Sequence, residues 1–334
     1  MRKFLEKINS VEKFSGELSY DEPMSKHTSF KVGGSADVWV RPDKDIFPDY
    51  SARLLSSARE EGIPVFVLGG GANIVVSERG IRGIVLDTGS WNGFEVKEKP
   101  DEKDGDVFTV KVLSGTSVDC LTDQLAAKGL SGLEFLAGMP GSVGGAVWMN
   151  ARCYEKSVSD ALIETEILNE NREAHNATQF PAHNATKFPA LKIAFRAEDF
   201  SYKKSPFQGR DALILSARFS LRSGEPEKIM KVMAEHRRDR EEKGHYRFPS
   251  AGSAFKNNRD FGVPTGKIID ELGLRGLRVG GAQVAPWHGN IVINTGNASG
   301  NDIKDLMGEV SRRVKEARGF DLESEVLFVG EWNL

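Results

Sequence analysis

The chain has 334 residues, 39% hydrophobic and 28% charged, with a formal charge of −3. That is enough for two or three domains, without the basic excess of a nucleic-acid binder. Its two cysteines, Cys120 and Cys153, exclude a disulfide framework and a cysteine zinc site, and no metal is expected. No apolar stretch is long enough to span a bilayer, so a cytoplasmic chain with no membrane partner is expected.

The start, "MRKFLEKINSVEKF", breaks its apolar positions with Glu6, Lys7 and Glu12, which predicts a short amphipathic helix and not a signal peptide. "SADVWVRP" reads as a strand closed by Pro42. "FPDYSARLLSSAREEG" reads as a helix, with a proline near its start and Gly62 as its stop. "IPVFVLGGGANIVVS" reads as strand, glycine turn, strand, and "GIVLDT" as one strand more. The first glycine cluster therefore stands at a strand end, where open α/β sheets keep their ligands.

In the middle third, "FTVKVLSGTS" leads into a helix with Val118, Leu121 and Leu125 on one face. "GMPGSVGGA", 138 to 146, follows; four glycines and a proline in nine residues would weaken any helix or strand there. "ALIETEILNE" and "ALILSARFSL" read as strands. Between them lies a tandem repeat, "AHNATQFP" then "AHNATKFP", 174 to 189. Two copies cannot stack into a solenoid, so the segment reads as an enlarged surface loop without chemistry. Its Asn-Ala-Thr triplets would be glycosylated only in a secreted protein, and the matching of His175 and His183 follows from duplication rather than from a shared metal.

A boundary is expected at "RSGEP", 222 to 226. Beyond it "EKIMKVMAEHRRDREEKG", "PTGKIIDELGL" and "GNDIKDLMGEVSRRVKEA" read as helices, the last with Ile303, Leu306, Val310 and Val314 on one face. "NIVIN" and "ESEVLFVGEW" read as strands. A separate α/β domain of about a hundred residues fits these signals.

The cluster "LGGGAN", 68 to 73, misses the dinucleotide fingerprint G-x-G-x-x-G. Each cluster alone has two readings: a tight turn, or backbone N–H groups bared to an anion. Taken together, "HTSFKVGGSADVWVRP", "VLGGGANIVVSERGIRGIVL", "GLEFLAGMPGSVGGAVWMN", "PSAGSAFKN" and "LESEVLFVG", in that order, closely resemble the UDP-N-acetylenolpyruvoylglucosamine reductase family. The resemblance runs from about residue 20 to the end, and the five motifs jointly are far more specific than any one.

The resemblance implies an α+β chain: a two-subdomain FAD-binding fold of the vanillyl-alcohol-oxidase (PCMH) type, residues 1–90 and 91–222, then a smaller α/β substrate domain, 223–334. The short link from "SAFKNN" to "PTGKIID" matches the compact form of the family, which lacks a lid insertion. The implied activity is NADPH-dependent reduction of UDP-N-acetylglucosamine enolpyruvate to UDP-N-acetylmuramate through FAD, a step of peptidoglycan synthesis. The partners are then small molecules, the UDP-sugar and NADPH; the oligomeric state is left open, a monomer being compatible.

By the same resemblance the FAD pyrophosphate rests on the backbone of Gly69, Gly70, Gly71, Ala72 and Asn73, and of Gly138, Pro140, Gly141, Ser142, Gly144, Gly145 and Ala146. Ser253 is the implied proton donor and Glu325 the glutamate that helps stabilise the enol intermediate; Glu323, two residues earlier on a strand, would face the same side. Tyr202, Lys256, Asn257 and His288 match substrate contacts. Without the family, Ser253 would read as a turn former, Glu325 as an exposed strand residue and His288 as structural.

Two positions depart from the pattern. The family has Tyr-Arg-x-Ser where this chain has "YKKS", so Lys203 stands in the place of a catalytic arginine. Lysine keeps the charge but lacks the planar fork; Lys204 could assist, although adjacent strand residues face opposite ways. In "NARCY", Arg152 replaces a glycine, and either a flavin-side or an outward role fits. A small-alcohol oxidase on the same FAD-binding fold would explain the glycine clusters but not "PSAGSAFKN"; a catalytically dead UDP-sugar binder would explain Lys203.

If 174 to 189 form an exposed loop, deleting one eight-residue copy changes loop-closure entropy by only about 0.6 kcal/mol. Activity and melting temperature are expected to stay at the parent values in a thermal-shift and turnover comparison; a large loss of either would show that the repeat packs against the body.

Overall fold

Along the strand Ala212–Ser223, buried Ala217, Phe219 and Leu221 alternate with Arg218, Ser220 and Arg222, so one face can seat helices. The computed structural model describes residues 1–11, 13–98, 106–169, 190–210 and 212–332; the tandem repeat lies outside them. The described residues form two compact units. The first comprises Met1–Ser19, Trp39–Gly70 and Gly83–Arg237, and the second Tyr20–Val38, Gly71–Arg82 and Arg238–Leu334.

In the first unit, helix α1 (Arg2–Val11) buries Phe4, Leu5 and Ile8, as its amphipathic pattern predicts. Helix α2 (Phe47–Glu60) has a proline in its first turn and ends before Gly62, also as expected. The strands Val65–Leu68 and Ile81–Asp87 pair in parallel through Val65↔Ile84 to Leu68↔Asp87. The chain leaves the carboxyl end of the first of them directly into Gly69 and Gly70.

The larger sheet of this unit runs in the order Leu191–Ala194, Leu162–Asn169, Ala212–Ser223, Val107–Leu113, Phe94–Glu98. Its neighbours are antiparallel throughout, with Ala217 opposite Val112 and Phe219 opposite Val110. Helix α3 (Val118–Ala127) sets Val118, Leu121 and Leu125 into the core on that face. Helix α4 (Val143–Trp148) adds Val143, Ala146 and Val147. The sequence had argued against a helix there. It forms because the Ser142 side chain caps its start and Val143, Ala146 and Val147 are buried. Helix α5 (Pro226–Glu242) begins at the last residue of the expected break at 222 to 226, and the unit boundary falls within it.

In the second unit, the antiparallel strands Ser250–Ser253, Ile291–Asn294, Ala282–Val284 and Arg278–Val279 form one sheet, and Leu327–Val329 pairs in parallel with Ile74–Val76. Helices α6 (Thr265–Glu271) and α7 (Gly300–Arg318) contribute Ile268, Ile269, Ile303, Leu306, Val310 and Val314 to a core shared with Phe30, Val32 and Val75. The face read from the sequence of α7 is thus its buried one. Ser299 and Asp302 make a reciprocal capping box at its start, where the Glu78 carboxylate also accepts the Gly300 and Asn301 N–H groups.

One buried amide joins these strands. Asn290, 3% exposed, donates from Nδ2 to the Phe255 carbonyl (2.8 Å) and accepts the Phe255 N–H at Oδ1 (3.0 Å), while its own carbonyl accepts the Ala254 N–H (2.8 Å). Asn290→Ala strands a buried donor and a buried acceptor. It is expected to cost roughly 2–4 kcal/mol in urea unfolding of the second unit; a loss under half a kcal/mol would show that Phe255 is held by something else.

Candidate active site

The two glycine clusters meet at the backbone. A Cβ on Gly70 would stand 2.5 Å from the Cα of Gly141 and 3.0 Å from the Ser142 nitrogen, and one on Gly69 would stand 2.5 Å from Ser142 Oγ. Only a residue without a side chain lets the loops approach this closely. Several amides of the second loop are engaged within the protein. Gly138 donates to Asp119 Oδ1 (2.7 Å), Val143 to the Thr116 carbonyl (2.9 Å) and Gly144 to the Ser114 carbonyl (2.8 Å). The N–H groups of Gly69, Gly70, Gly141 and Ser142 make no such bond to other described residues.

Those four donors fit a pyrophosphate held by backbone alone. Gly138 and Gly144 instead shape the loop. A Cβ on Gly144 would collide with Ser114 (2.8 Å to its Cβ), whereas one on exposed Gly145 would meet only Ser142 Oγ, at 3.5 Å. Gly145 is therefore the position that is bare toward open space, and Gly144 is bare for packing. Pro140 is exposed at the tip of the loop, and Ala146 is buried beneath it in α4. Asp119 is held in turn by Arg237 Nη2 at 2.6 Å.

Lys203 lies in a turn, not on a strand, so the opposite-face argument about Lys204 does not apply. Ser201 and Lys204 bridge each other, and Lys203 between them has φ +57°. That left-handed backbone costs a non-glycine residue about 1 kcal/mol or more, and such strain gathers at functional sites. Three side chains tie the turn to the end of α4. Asn150 Nδ2 donates to the Ser201 carbonyl (2.9 Å) and Ser205 Oγ to the Trp148 carbonyl (2.6 Å). Gln208 Nε2 donates to the carbonyls of both Trp148 and Lys203 (3.1 Å each). Tyr202 is exposed beside it. Arg152 pairs within its own hairpin with the exposed Glu155 carboxylate (2.9 Å), a contact worth little in water.

In the second unit, Ser253 ends a strand that carries one extra residue against Ile291–Asn294, with Gly252 at φ +74°. Bulges of this kind re-aim the next side chain. Alongside runs the segment of Glu325: its N–H donates to the Ala254 carbonyl (2.8 Å), and the Lys256 N–H donates to the Glu323 carbonyl (2.9 Å). Asn73 fastens this segment from the other side. Its Nδ2 donates to the Glu325 carbonyl (2.9 Å), and its own carbonyl accepts the Leu327 N–H (3.0 Å). Gly71 and Ala72 offer their carbonyls to the N–H and Oγ of Ser29. The fold therefore brings Asn73, Ser253, Lys256 and Glu325 onto adjoining segments of one unit, Ser253 at a strand end and the other three in the connections beside it.

The remaining expected contacts are more structural. Asn257 Oδ1 accepts the Thr265 N–H (3.0 Å) at the start of α6, and Lys256 Nζ pairs with Glu323, not Glu325. His288 Nδ1 accepts the Asn290 N–H (3.1 Å), which leaves the proton on Nε2, and burial pushes its pKa down. Next to Gly252 stands a histidine the sequence did not single out: burial, then the nearby Arg240 charge, pushes His245 down to about 4, so it is neutral at pH 7. Asn290, Asn150, Asp119 and Gln208 were also missed. Asn150 and Asn290 lay inside stretches read for other reasons, Asn290 as the first residue of "NIVIN". Among the described residues no three metal-ligating side chains come together, and no helix is long and apolar enough to cross a membrane.

Comparison with known proteins agrees with this layout. A family model for an FAD binding domain matches residues 49–177, and one for the C-terminal domain of UDP-N-acetylenolpyruvoylglucosamine reductase matches 244–329. The chain is 40% identical to the UDP-N-acetylenolpyruvoylglucosamine reductase of Treponema denticola over 95% of both chains. It is 39% identical to that of Treponema pallidum over 92% of both. Its structure is similar to that of the reductase from Thermus caldophilus, with a TM-score of 0.68 and 30% identity, covering 94% of this chain and 99% of that one. The expected α+β fold, an FAD-binding part followed by the reductase C-terminal domain, is borne out.

The two neighbouring glycines give a paired test. Gly145→Val is expected to keep the parent melting temperature to within a few degrees yet purify without yellow FAD, while Gly144→Val is expected to lose stability as well, because it must displace Ser114. Full flavin loading of Gly145→Val, read from the visible spectrum, would remove Gly145 from the cofactor site.

Proposed function

This chain belongs to the UDP-N-acetylenolpyruvoylglucosamine reductase family, and from that premise we propose how its residues divide the work. It is an FAD-dependent oxidoreductase of peptidoglycan synthesis that reduces UDP-N-acetylglucosamine enolpyruvate to UDP-N-acetylmuramate with NADPH. FAD, held by the backbone of the two glycine loops, would supply the hydride chemistry between NADPH and the enolpyruvyl substrate. The observation that carries the cofactor assignment is the set of unengaged backbone donors at Gly69, Gly70, Gly141 and Ser142, beside a Gly145 that has room above it.

Residues 1–90 and 91–222 serve, on this reading, as the two FAD-binding subdomains and 223–334 as the substrate domain. Hydride addition puts negative charge onto the substrate carboxylate. Lys203 supplies the compensating cation, and Glu325 stabilises the enol form. Ser253 then gives its hydroxyl proton to the α-carbon, which completes addition of hydride and proton across the double bond. Tyr202, Lys256, Asn257 and His288 orient the UDP-sugar, and the reaction is placed in the cytoplasm.

Stopped-flow absorbance separates the half-reactions. Ser253→Ala is expected to leave flavin reduction by NADPH intact and to slow reoxidation by the enolpyruvyl substrate by roughly 10²–10⁴-fold. Lys203→Ala is expected to slow the same half-reaction through lost charge, and Lys203→Arg to keep substantial activity. Impaired reduction by NADPH with normal reoxidation in Ser253→Ala would rule out the proton-donor role, and normal reoxidation in Lys203→Ala would send the search for the cation to Arg152.

A further inference from the structure

We propose that Gln208 is a positioning residue that aims Lys203, an inference that rests on Lys203 acting as the cation of the reaction. The amide group of Gln208 has two donor hydrogens and two carbonyls to receive them. It donates to Trp148, the last residue of α4, and to Lys203 itself, both at 3.1 Å, with Met149 Sδ near it at 3.8 Å. One side chain thus fixes the peptide plane that follows Lys203 against the end of the helix that starts in the second glycine loop.

The need for such a clamp lies in the backbone of Lys203. At φ +57° lysine sits where a β-carbon is crowded, and relaxation toward negative φ would swing the Cα–Cβ bond and carry the ammonium away. Asn150 holds the near end of the turn at Ser201, and Ser205 shares the Trp148 carbonyl. Gln208 alone among these three bonds the strained residue. Placement matters more for lysine than for arginine: a point charge on a flexible stem has no planar fork with which to lock onto a carboxylate. The substitution at 203 raises the demand on the turn beneath it.

The test compares FAD-loaded Gln208→Leu, Lys203→Ala and the double variant. Two quantities are read: reoxidation of reduced flavin by the enolpyruvyl substrate, and calorimetric affinity for the product UDP-N-acetylmuramate, whose carboxylate the cation would meet. Gln208→Leu is expected to leave reduction by NADPH unchanged, to slow reoxidation between about tenfold and a hundredfold, and to weaken product binding. The double variant should be no worse than Lys203→Ala in either quantity, because the clamp has nothing left to aim. Additive losses, or parent behaviour of Gln208→Leu beside a slow Lys203→Ala, overturn the inference and leave the role of Lys203 standing. Parent rates in Lys203→Ala overturn both together. If Gln208→Leu loses its flavin, Gln208→Glu serves instead: its ionised carboxylate fills the same space but donates to neither carbonyl, and normal reoxidation by that variant would equally end the proposal.

Discussion

The backbone-to-backbone contact of Gly70 with Gly141 is the constraint on which the cofactor half of the molecule depends. Two loops more than sixty residues apart in sequence are brought within a distance that no Cβ would allow, each at the end of a separate strand-and-helix arrangement. The approach fixes which amides remain available. Asp119, Thr116 and Ser114 take up the N–H groups of Gly138, Val143 and Gly144, and the unengaged donors cluster where the loops touch. A surface built this way binds an anion without a lysine or arginine, because hydrogen bonds to a charged acceptor are roughly twice as strong as neutral ones.

The same loop also anchors the turn of Lys203. Its helix, α4, is only six residues long, yet its final carbonyl, Trp148, is where Ser205 and Gln208 both attach the turn of Lys203. Strain at 203 and the glycine contacts at 70 and 141 are therefore joined through one short helix. In the second unit amides do the corresponding work: Asn290 fixes the segment that follows Ser253, and Asn73 fixes the segment of Glu325. The residues assigned to chemistry are in each case held by neighbours that carry none, as precise placement requires.

Much of this was legible in the sequence where a period exists. The faces of α1, α3 and α7, the strands around 65–87 and 107–113, and the break before α5 all follow from apolar spacing and breakers. Helix α4 was hidden because two glycines in a six-residue helix outweigh any propensity argument; capping by Ser142 and burial of Val147 reverse it. The turn at Lys203 was hidden because nothing in "YKKS" demands a positive φ. The amides escaped for a different reason: Asn73 was read as a cofactor contact and Asn290 only as the start of a strand, since which backbone group an asparagine satisfies is decided by segments far away in sequence.

Gly144 and Gly145 show how far motif resemblance and geometry can part within two residues. Both belong to the same bare stretch, and resemblance assigns both to the cofactor. Packing separates them: Gly144 has Ser114 against it and an engaged amide, whereas Gly145 has open space and only a weak 3.3 Å bond to Ser142 Oγ. A glycine can be required because the protein itself fills the space of a side chain or because something else must. Only the contacts around each position distinguish the two, and here they give Gly144 a packing role while leaving the neighbouring Gly145 open to space.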